Sequence, residues 1–389
     1  MIKTKPYNIL HLLSWFSTPQ DPTKGNFCLR HVNAIALKNP SVVLMVISDS
    51  NIKKNREIKH EVVDNFTQVI ITVKTCNSKT NPLINSINRY RLFKGYNFGL
   101  QYIKKNIFIP DLVHLHVTLP LGSVAMYWKW RYNLPYVLSE HWSVYSSKDR
   151  RLKDNKIKKK IVQINKQAAM ITAVSDELKK NMQSYGVQNE IEVIPNVVDS
   201  NLFTLKNPTK NKKIQILHVS SLNDEEKNFS GILRIINRLY INRNDFELHV
   251  IHDYDWIQYK PFIDANNLSK CIIFHGKKSM EDLAKWYQTA DFLVMFSNFE
   301  TFSCVVMEAL ACGTPVLATS TGAIPEMLDE GRGIIIPPGD EEALFNGMNN
   351  MMDSLLLFSP DTLRQFVLDN YDKEIINNKF YRVYQGVLK

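Results

Sequence analysis

Asp291-Phe-Leu-Val-Met-Phe296 runs into Ser297-Asn-Phe-Glu-Thr-Phe302, then Ser303-Cys-Val-Val-Met-Glu-Ala-Leu-Ala-Cys312, closed by Gly313. The first piece is an apolar run of strand length, and the third has the length and composition of a buried helix. Gly313 stands where a helix-ending glycine belongs, and Thr301 or Ser303 is placed to cap the start. Pro315-Val-Leu-Ala318 then leads through Thr319-Ser-Thr-Gly-Ala323 to a second helix start at Ile324-Pro-Glu326, with Pro325 in its first turn. Two successive strand–loop–helix units predict a parallel sheet covered by helices.

The same alternation extends in both directions. Asn8–Phe16 reads as a first strand rather than a secretory signal, because it is short and no small-residue cleavage site follows. Further strands are predicted at 41–47, 112–116, 136–138, 171–174 and 191–194, and then at 214–219, 246–251 and 272–274. The polar stretch Lys206-Asn-Pro-Thr-Lys-Asn-Lys-Lys213 divides the two series. The expected organisation is a doubly wound, Rossmann-like domain over 1–205, a linker over 206–213 and a second Rossmann-like domain over 214–365. A C-terminal helix over 366–389 either closes the second domain or crosses back to the first.

Composition bounds the function. The chain has 389 residues, 44% hydrophobic and 22% charged, and no run reaches the ~20 apolar residues of a membrane span. Its five cysteines form no C-x-x-C pair and read as reduced cytosolic thiols. A net charge of +10 predicts an anionic partner, whether nucleic acid, membrane surface or phosphorylated small molecule.

In open parallel sheets, ligands bind beyond the carboxyl ends of the strands, where helix N-termini offer free N–H groups to anions. Glu300 and Glu308, with seven residues between them, flank the first helix start. Carboxylates repel phosphate but accept hydrogen bonds from hydroxyls. The residues therefore predict a nucleotide-sugar site in which amides hold the diphosphate and carboxylates hold polyols. A glutamate near a helix start is ordinarily a solvated residue. Glu308, however, sits in an apolar segment where an unpartnered charge is expensive.

Glu300-Thr-Phe-Ser-Cys-Val-Val-Met-Glu308, Ala309-Leu-Ala-Cys-Gly-Thr-Pro-Val316 and Gly322-Ala-Ile-Pro-Glu326 together resemble the E-x7-E signature of retaining GT-B glycosyltransferases of family 4. Gly25-Asn-Phe27 with His31 is similar to the family's N-terminal glycine loop, and Ser139-Glu-His-Trp142 to its active-site histidine segment. Thr172–Ser175, Ile194–Asp199, His218–Leu222 with Lys227-Asn228, and Gly331–Gly339 match further segments in the right order.

The resemblance implies a fold of two doubly wound parallel-sheet domains facing across a cleft. By it, Glu308 would bind the donor's ribose, and Glu300 the hydroxyls of the donor sugar, helped by amides of Phe302, Ser303 and Cys304. Lys227 would neutralise the leaving diphosphate. His141 would lie near the donor sugar, and Gly25 and Asn26 would approach the phosphates or acceptor. Several positions depart from the family. Ser220-Ser221 replaces the usual Gly-Arg, so Lys227 lacks its basic partner and Ser221 stands in the phosphate segment. His252 stands where a glycine-rich turn is usual. Ser303, after Phe302, and Ala323, after Gly322, each replace a glycine with a small residue. Transfer with retention through an oxocarbenium-like transition state is implied, the leaving phosphate accepting the acceptor's proton. No metal site is expected, since no Asp-x-Asp triplet or His/carboxylate cluster is present, and no cofactor is expected.

The expected reaction moves a hexosyl or N-acetylhexosaminyl unit, from a UDP-sugar before others, to a glycan or lipid-linked glycan in cell-surface polysaccharide biosynthesis. Residues Lys148–Lys166 hold nine basic and two acidic residues. They are either a solvated helix face or a patch that docks a cytoplasmic enzyme on the anionic inner membrane surface. Competing readings are a sugar-nucleotide epimerase on the same fold and a basic nucleic-acid binder. Against the latter, the basic cluster lacks interleaved aromatics, so no nucleic-acid partner is expected.

Overall fold

The computed structural model describes residues 5–16, 25–77, 80–145, 154–205, 212–329 and 331–389. The chain divides into two units, Met1–Val197 with Lys373–Lys389, and Val198–Asp372. The division falls ahead of the polar stretch 206–213, of which 206–211 lie outside the described residues, as do 148–153 of the basic stretch.

In the first unit the elements are β1 (Ile9–Leu13), α1 (Asn26–Ala36), β2 (Ser41–Asp49), β3 (Arg56–Val63), β4 (Phe66–Lys74), α2 (Pro82–Asn106), β5 (Leu112–His116), α3 (Gly122–Tyr132), β6 (Tyr136–Glu140), α4 (Asn155–Gln167), β7 (Met170–Ala173), α5 (Asp176–Tyr185) and β8 (Ile191–Val193). They form an eight-stranded sheet in the order β3-β4-β2-β1-β5-β6-β7-β8. Every pairing is parallel except the β3–β4 hairpin, turned at Asp64 with φ 49. The strands β1, β5 and β6 are buried on both faces, as an interior parallel sheet requires.

The second unit contains β9 (Ile214–Ser220), α6 (Asp224–Lys227), α7 (Phe229–Asn242), β10 (Phe246–His252), α8 (Lys260–Ala265), β11 (Ile272–Gly276), α9 (Met280–Thr289), β12 (Phe292–Met295), α10 (Cys304–Ala311), β13 (Val316–Thr319), α11 (Ile324–Met327), β14 (Gly333–Ile336), α12 (Glu341–Asp353) and α13 (Pro360–Tyr371). Its six-stranded sheet runs β11-β10-β9-β12-β13-β14 with all neighbours parallel. The chain winds outward from β9 to β11, then returns and winds the other way from β12 to β14. The switch point therefore lies between β9 and β12. An equivalent reversal lies between β1 and β5 in the first unit.

The expected single helix over 366–389 is two helices. Asp372 adopts an extended conformation (φ −66, ψ 153), ending α13, and α14 (Lys373–Val387) belongs to the first unit. Ile376, Phe380, Val383 and Tyr384 of α14 pack into a buried cluster with Ile9, Ile35, Leu112 and Val137.

The core of the first unit also contains five imidazoles. His11, His31, His114 and His116 are fully buried and His141 nearly so. His114 stacks on His116 with centroids 4.0 Å apart, and His31 lies 5.1 Å from His141. Hydrogen bonds hold the stack: His114 to the Tyr384 hydroxyl and Ser139, both at 2.7 Å, and His31 to the Pro195 carbonyl at 2.9 Å. Burial lowers the pKa of His11 to about 3 and of His31 to about 4. His114, His116 and His141 are held well below 6.5 chiefly for the same reason. In the unfolded chain these groups take up protons near 6.5, while the folded protein refuses them until the pH is much lower. Stability therefore falls as pH drops below about 6.5, at roughly 1.4 kcal/mol per pH unit for each such histidine. Glu140, whose pKa burial raises, acts in the opposite sense but is one group against five. Melting temperatures measured from pH 7 to 4.5 should decline steeply below 6.5. A flat profile would show that the imidazoles are not held neutral.

Candidate active site

The loops at the switch point of the second unit bring the expected residues together. After β9 the chain passes Ser221 and Leu222, the latter at φ 56, into the single turn α6. This sets Lys227 at the turn's end. After β12 it passes Ser297 and Asn298 to Glu300. Asn298 pins the two loops to one another, its amide donating to the Glu226 carbonyl at 2.8 Å and its side chain to that of Glu225 at 3.0 Å. Lys227 Nζ consequently lies 2.6 Å from Glu300 Oε1, with side-chain exposures of 18% and 9%. The Ser297 hydroxyl donates to the same oxygen at 2.8 Å. Lys227 therefore has a partner, but an acidic one. Ser221 accepts from the Asn223 amide at 3.4 Å and supplies no charge in place of the arginine usual there.

Glu308 projects from α10 into the interior, 3% exposed, where the Tyr287 hydroxyl of α9 donates to it at 3.0 Å. This meets the requirement that a carboxylate in an apolar segment have a partner. Cys304 is the first residue of α10 and Phe302 is buried ahead of it. Gly322, at φ 57, fits against the backbone of Glu300 and Thr301. A β-carbon there would fall 2.6 Å from the Glu300 carbonyl oxygen, so the close approach demands glycine.

Two expectations need correction. Ser303 occupies the start of α10, but its side chain makes no capping hydrogen bond. Ser303 instead adopts the left-handed region (φ 65, ψ 79), and its buried hydroxyl has no hydrogen-bond partner. The turn needs a positive φ, which explains why the resembling family has glycine here. The second helix start, at Ile324, yields only the four-residue α11, so its dipole adds little. His252 closes β10 as a buried residue, Nδ1 bonded to the Tyr254 carbonyl at 2.6 Å.

In the first unit, Gly25 starts α1 in the left-handed conformation (φ 70). It lies so close to the Trp15–Phe16 backbone that a β-carbon would clash there. Asn26 is the first residue of α1. His141 packs 4.7 Å from the Phe27 ring. Neither of its ring nitrogens has a partner in full hydrogen-bond geometry, and Asn196 is the side chain that favours its protonated form. What fixes this segment is Glu140, which the motif reading passed over. Its fully buried carboxylate accepts from the His141 and Trp142 amides, from Thr118 and from the Tyr145 hydroxyl, at 2.7–3.2 Å.

Among the described residues, ligand-type atoms of His11, His114 and His116, and of Cys28, His116 and His141, lie within 4.8 Å of one another. No local motif marks this cluster, because its members come from four separate segments: β1, α1, β5 and the end of β6. Both nitrogens of His114 and of His11 already bond to protein groups. Burial raises the Cys28 pKa well above 9.0, keeping it a thiol. The cluster has the chemistry of a packed, neutral stack.

Left-handed backbone at Ser303 costs on the order of 1 kcal/mol that glycine would not incur. Ser303→Gly should raise the melting temperature by a few degrees, and an unchanged or lower value would show the turn to be unstrained.

Residues 213–354 match the glycosyl transferases group 1 family, and residues 67–202 match Glycosyltransferase Family 4. An uncharacterized glycosyltransferase of Methanocaldococcus jannaschii is 26% identical over 76% of this chain and 80% of its own. An uncharacterized 41.2 kDa protein in the cps region of Klebsiella pneumoniae is 23% identical over 87% of this chain and 95% of its own. Among solved structures, Anabaena HepE in complex with UDP shares the fold with a TM-score of 0.73 at 16% identity, covering 97% of this chain and 99% of that one. With two doubly wound parallel sheets and both halves of the chain matched, this protein belongs to the family 4 (group 1) glycosyltransferases of GT-B fold.

Proposed function

We propose that this glycosyltransferase moves a hexosyl or N-acetylhexosaminyl unit, with retention and without a metal ion, from a nucleoside-diphosphate sugar to a hydroxyl of a glycan or lipid-linked glycan. UDP-sugars are the favoured donors, a reading supported by the UDP bound to the HepE structure. Assembly of cell-surface polysaccharide (capsule, lipopolysaccharide or exopolysaccharide) is the favoured pathway, supported by the location of the Klebsiella relative in a cps region. Five free cysteines suit a reducing cytoplasmic setting.

The observation that carries this reading is the Lys227–Glu300 pair at the switch point. A cation and a hydroxyl acceptor held side by side match the two halves of a sugar diphosphate at its scissile bond. On donor binding, Lys227 exchanges its carboxylate partner for the diphosphate and neutralises the charge that grows as the C–O bond breaks. That role is the one a divalent cation otherwise fills. Glu300, kept in place by Ser297, turns to the sugar hydroxyls. Amides of Phe302, Ser303 and Cys304 hold the phosphates at the start of α10, and Glu308, oriented by Tyr287, takes the ribose. The acceptor hydroxyl attacks from the face the leaving group vacates, and the leaving phosphate oxygen takes its proton. In the first unit, His141 is assigned to the reaction as a neutral imidazole.

Lys227→Ala should weaken nucleoside-diphosphate binding in calorimetry and lower turnover about 10²-fold or more. Glu300→Gln should lower turnover comparably while leaving diphosphate affinity equal or tighter, since it removes the anion that competes for Lys227. Wild-type turnover in both variants would remove these roles. His141→Gln, which keeps most of the buried volume, should reduce turnover at a temperature where the variant is fully folded, and an unaffected rate would exclude His141 from the reaction.

A further inference from the structure

The helices α2, α3 and α4 form one continuous layer on the first unit. Trp128 donates to Asn97 at 2.7 Å, Phe93 packs on Tyr127 at 5.0 Å, and Lys129 donates to the Gln167 carbonyl at 2.7 Å. The three sequences contain twelve lysines and arginines and no aspartate or glutamate. With 38 acidic residues in 389, about five would be expected there. Among the described residues the acidic groups of this unit lie outside the three helices, for example Glu57 and Glu61 on β3, the latter paired with Lys59, and Asp176 and Glu177 on α5, while Asp154 stands at the cap of α4 itself.

This layer is also apolar where it meets solvent. Leu83, Ile87 and Tyr90 recur at the spacing of a single helical stripe and are 74%, 49% and 57% exposed, and Trp130 of α3 is 78% exposed. Where the stripe ends, Arg56, Lys74, Tyr90, Arg91 and Lys94 line a cavity of about 250 Å³. Its cations are held in place by neutral groups: Arg91 donates to the Lys74 carbonyl at 3.2 Å, Lys94 lies 4.9 Å from the Tyr90 ring centroid and Arg56 4.4 Å from that of Phe98. Among the described residues none of these three cations is paired with a carboxylate.

We propose that this face docks on an anionic phospholipid surface, with Leu83, Ile87 and Tyr90 entering the interface and the Arg56–Arg91–Lys94 pocket taking a headgroup phosphate. A solvent-exposed apolar stripe bordered by uncompensated cations is the composition of an interfacial helix. A nucleic acid would engage the cations but gain nothing from Leu83 and Ile87. Among the described residues no helix is long and apolar enough to cross a membrane, so the contact is peripheral. The basic stretch singled out in the sequence contributes α4, one helix of the three. The inference is independent of the donor chemistry, using neither Lys227 nor Glu300.

The test is co-sedimentation of the full chain with vesicles of phosphatidylcholine alone and of phosphatidylcholine mixed with phosphatidylglycerol. Binding should favour the anionic vesicles about tenfold or more and weaken with salt. The triple variant Arg56→Glu, Arg91→Glu, Lys94→Glu and the double variant Leu83→Ser, Ile87→Ser should each lose most of that binding. Both should keep the wild-type melting temperature and its shift on adding UDP, which separates this proposal from the donor assignment. Equal partition onto both vesicle types, or wild-type binding by the triple variant, would overturn it. So would saturation by inorganic phosphate in a chain that ignores vesicles.

Discussion

A lysine and a glutamate 73 residues apart meet at 2.6 Å, and much of the second unit exists to make that happen. The reversal of winding between β9 and β12 leaves their two loops adjacent at the carboxyl end of the sheet. Asn298 ties one loop to the other, Ser297 anchors the carboxylate, and Gly322 lets a third loop lie flat against the Glu300 backbone. Two opposite charges so little exposed satisfy each other at modest cost, whereas either alone would be expensive. In the proposed mechanism this pair is the resting state, in which the half-buried Lys227 exchanges its carboxylate partner for the donor's diphosphate.

The first unit solves a different problem. Its sheet is sealed on one side by α14, which arrives from the far end of the sequence after the break at Asp372. Beneath it lie imidazoles whose hydrogen bonds are made to Tyr384, Ser139 and a backbone carbonyl rather than to water. Neutrality is what lets them pack so closely. The Glu140 carboxylate, at the edge of this stack, is satisfied by four neighbouring residues and fixes the backbone that presents His141.

Much of this was legible from short-range pattern. Both strands of the deciding segment fall within a residue or two of their expected limits, because an interior parallel strand must be continuously apolar. The hairpin strands β3 and β4 are not among the expected ones, since Arg56–Val63 is largely exposed with alternating charge and Phe66–Lys74 alternates buried with half-buried residues instead of running continuously apolar. Gly313 ended α10 as a positive-φ glycine should, at φ 74. Ser303 misled because its residue type favours side-chain capping, while the turn demanded backbone geometry that serine supplies only under strain. Pairings across long separations left no local trace: nothing near Lys227 names Glu300, nothing near Glu308 names Tyr287, and the five histidines converge only once the sheet is assembled. The family motif located the carboxylates, and the fold supplied their partners.

The most direct examination of the central claim is a crystal structure of this chain soaked with UDP. The β-phosphate should lie within hydrogen-bond reach of Lys227 Nζ and the amides of residues 302–304, with the Lys227–Glu300 bond lengthened or broken. Density for UDP elsewhere, for instance in the groove lined by His249, Lys285 and Trp286, with the ion pair intact, would contradict it.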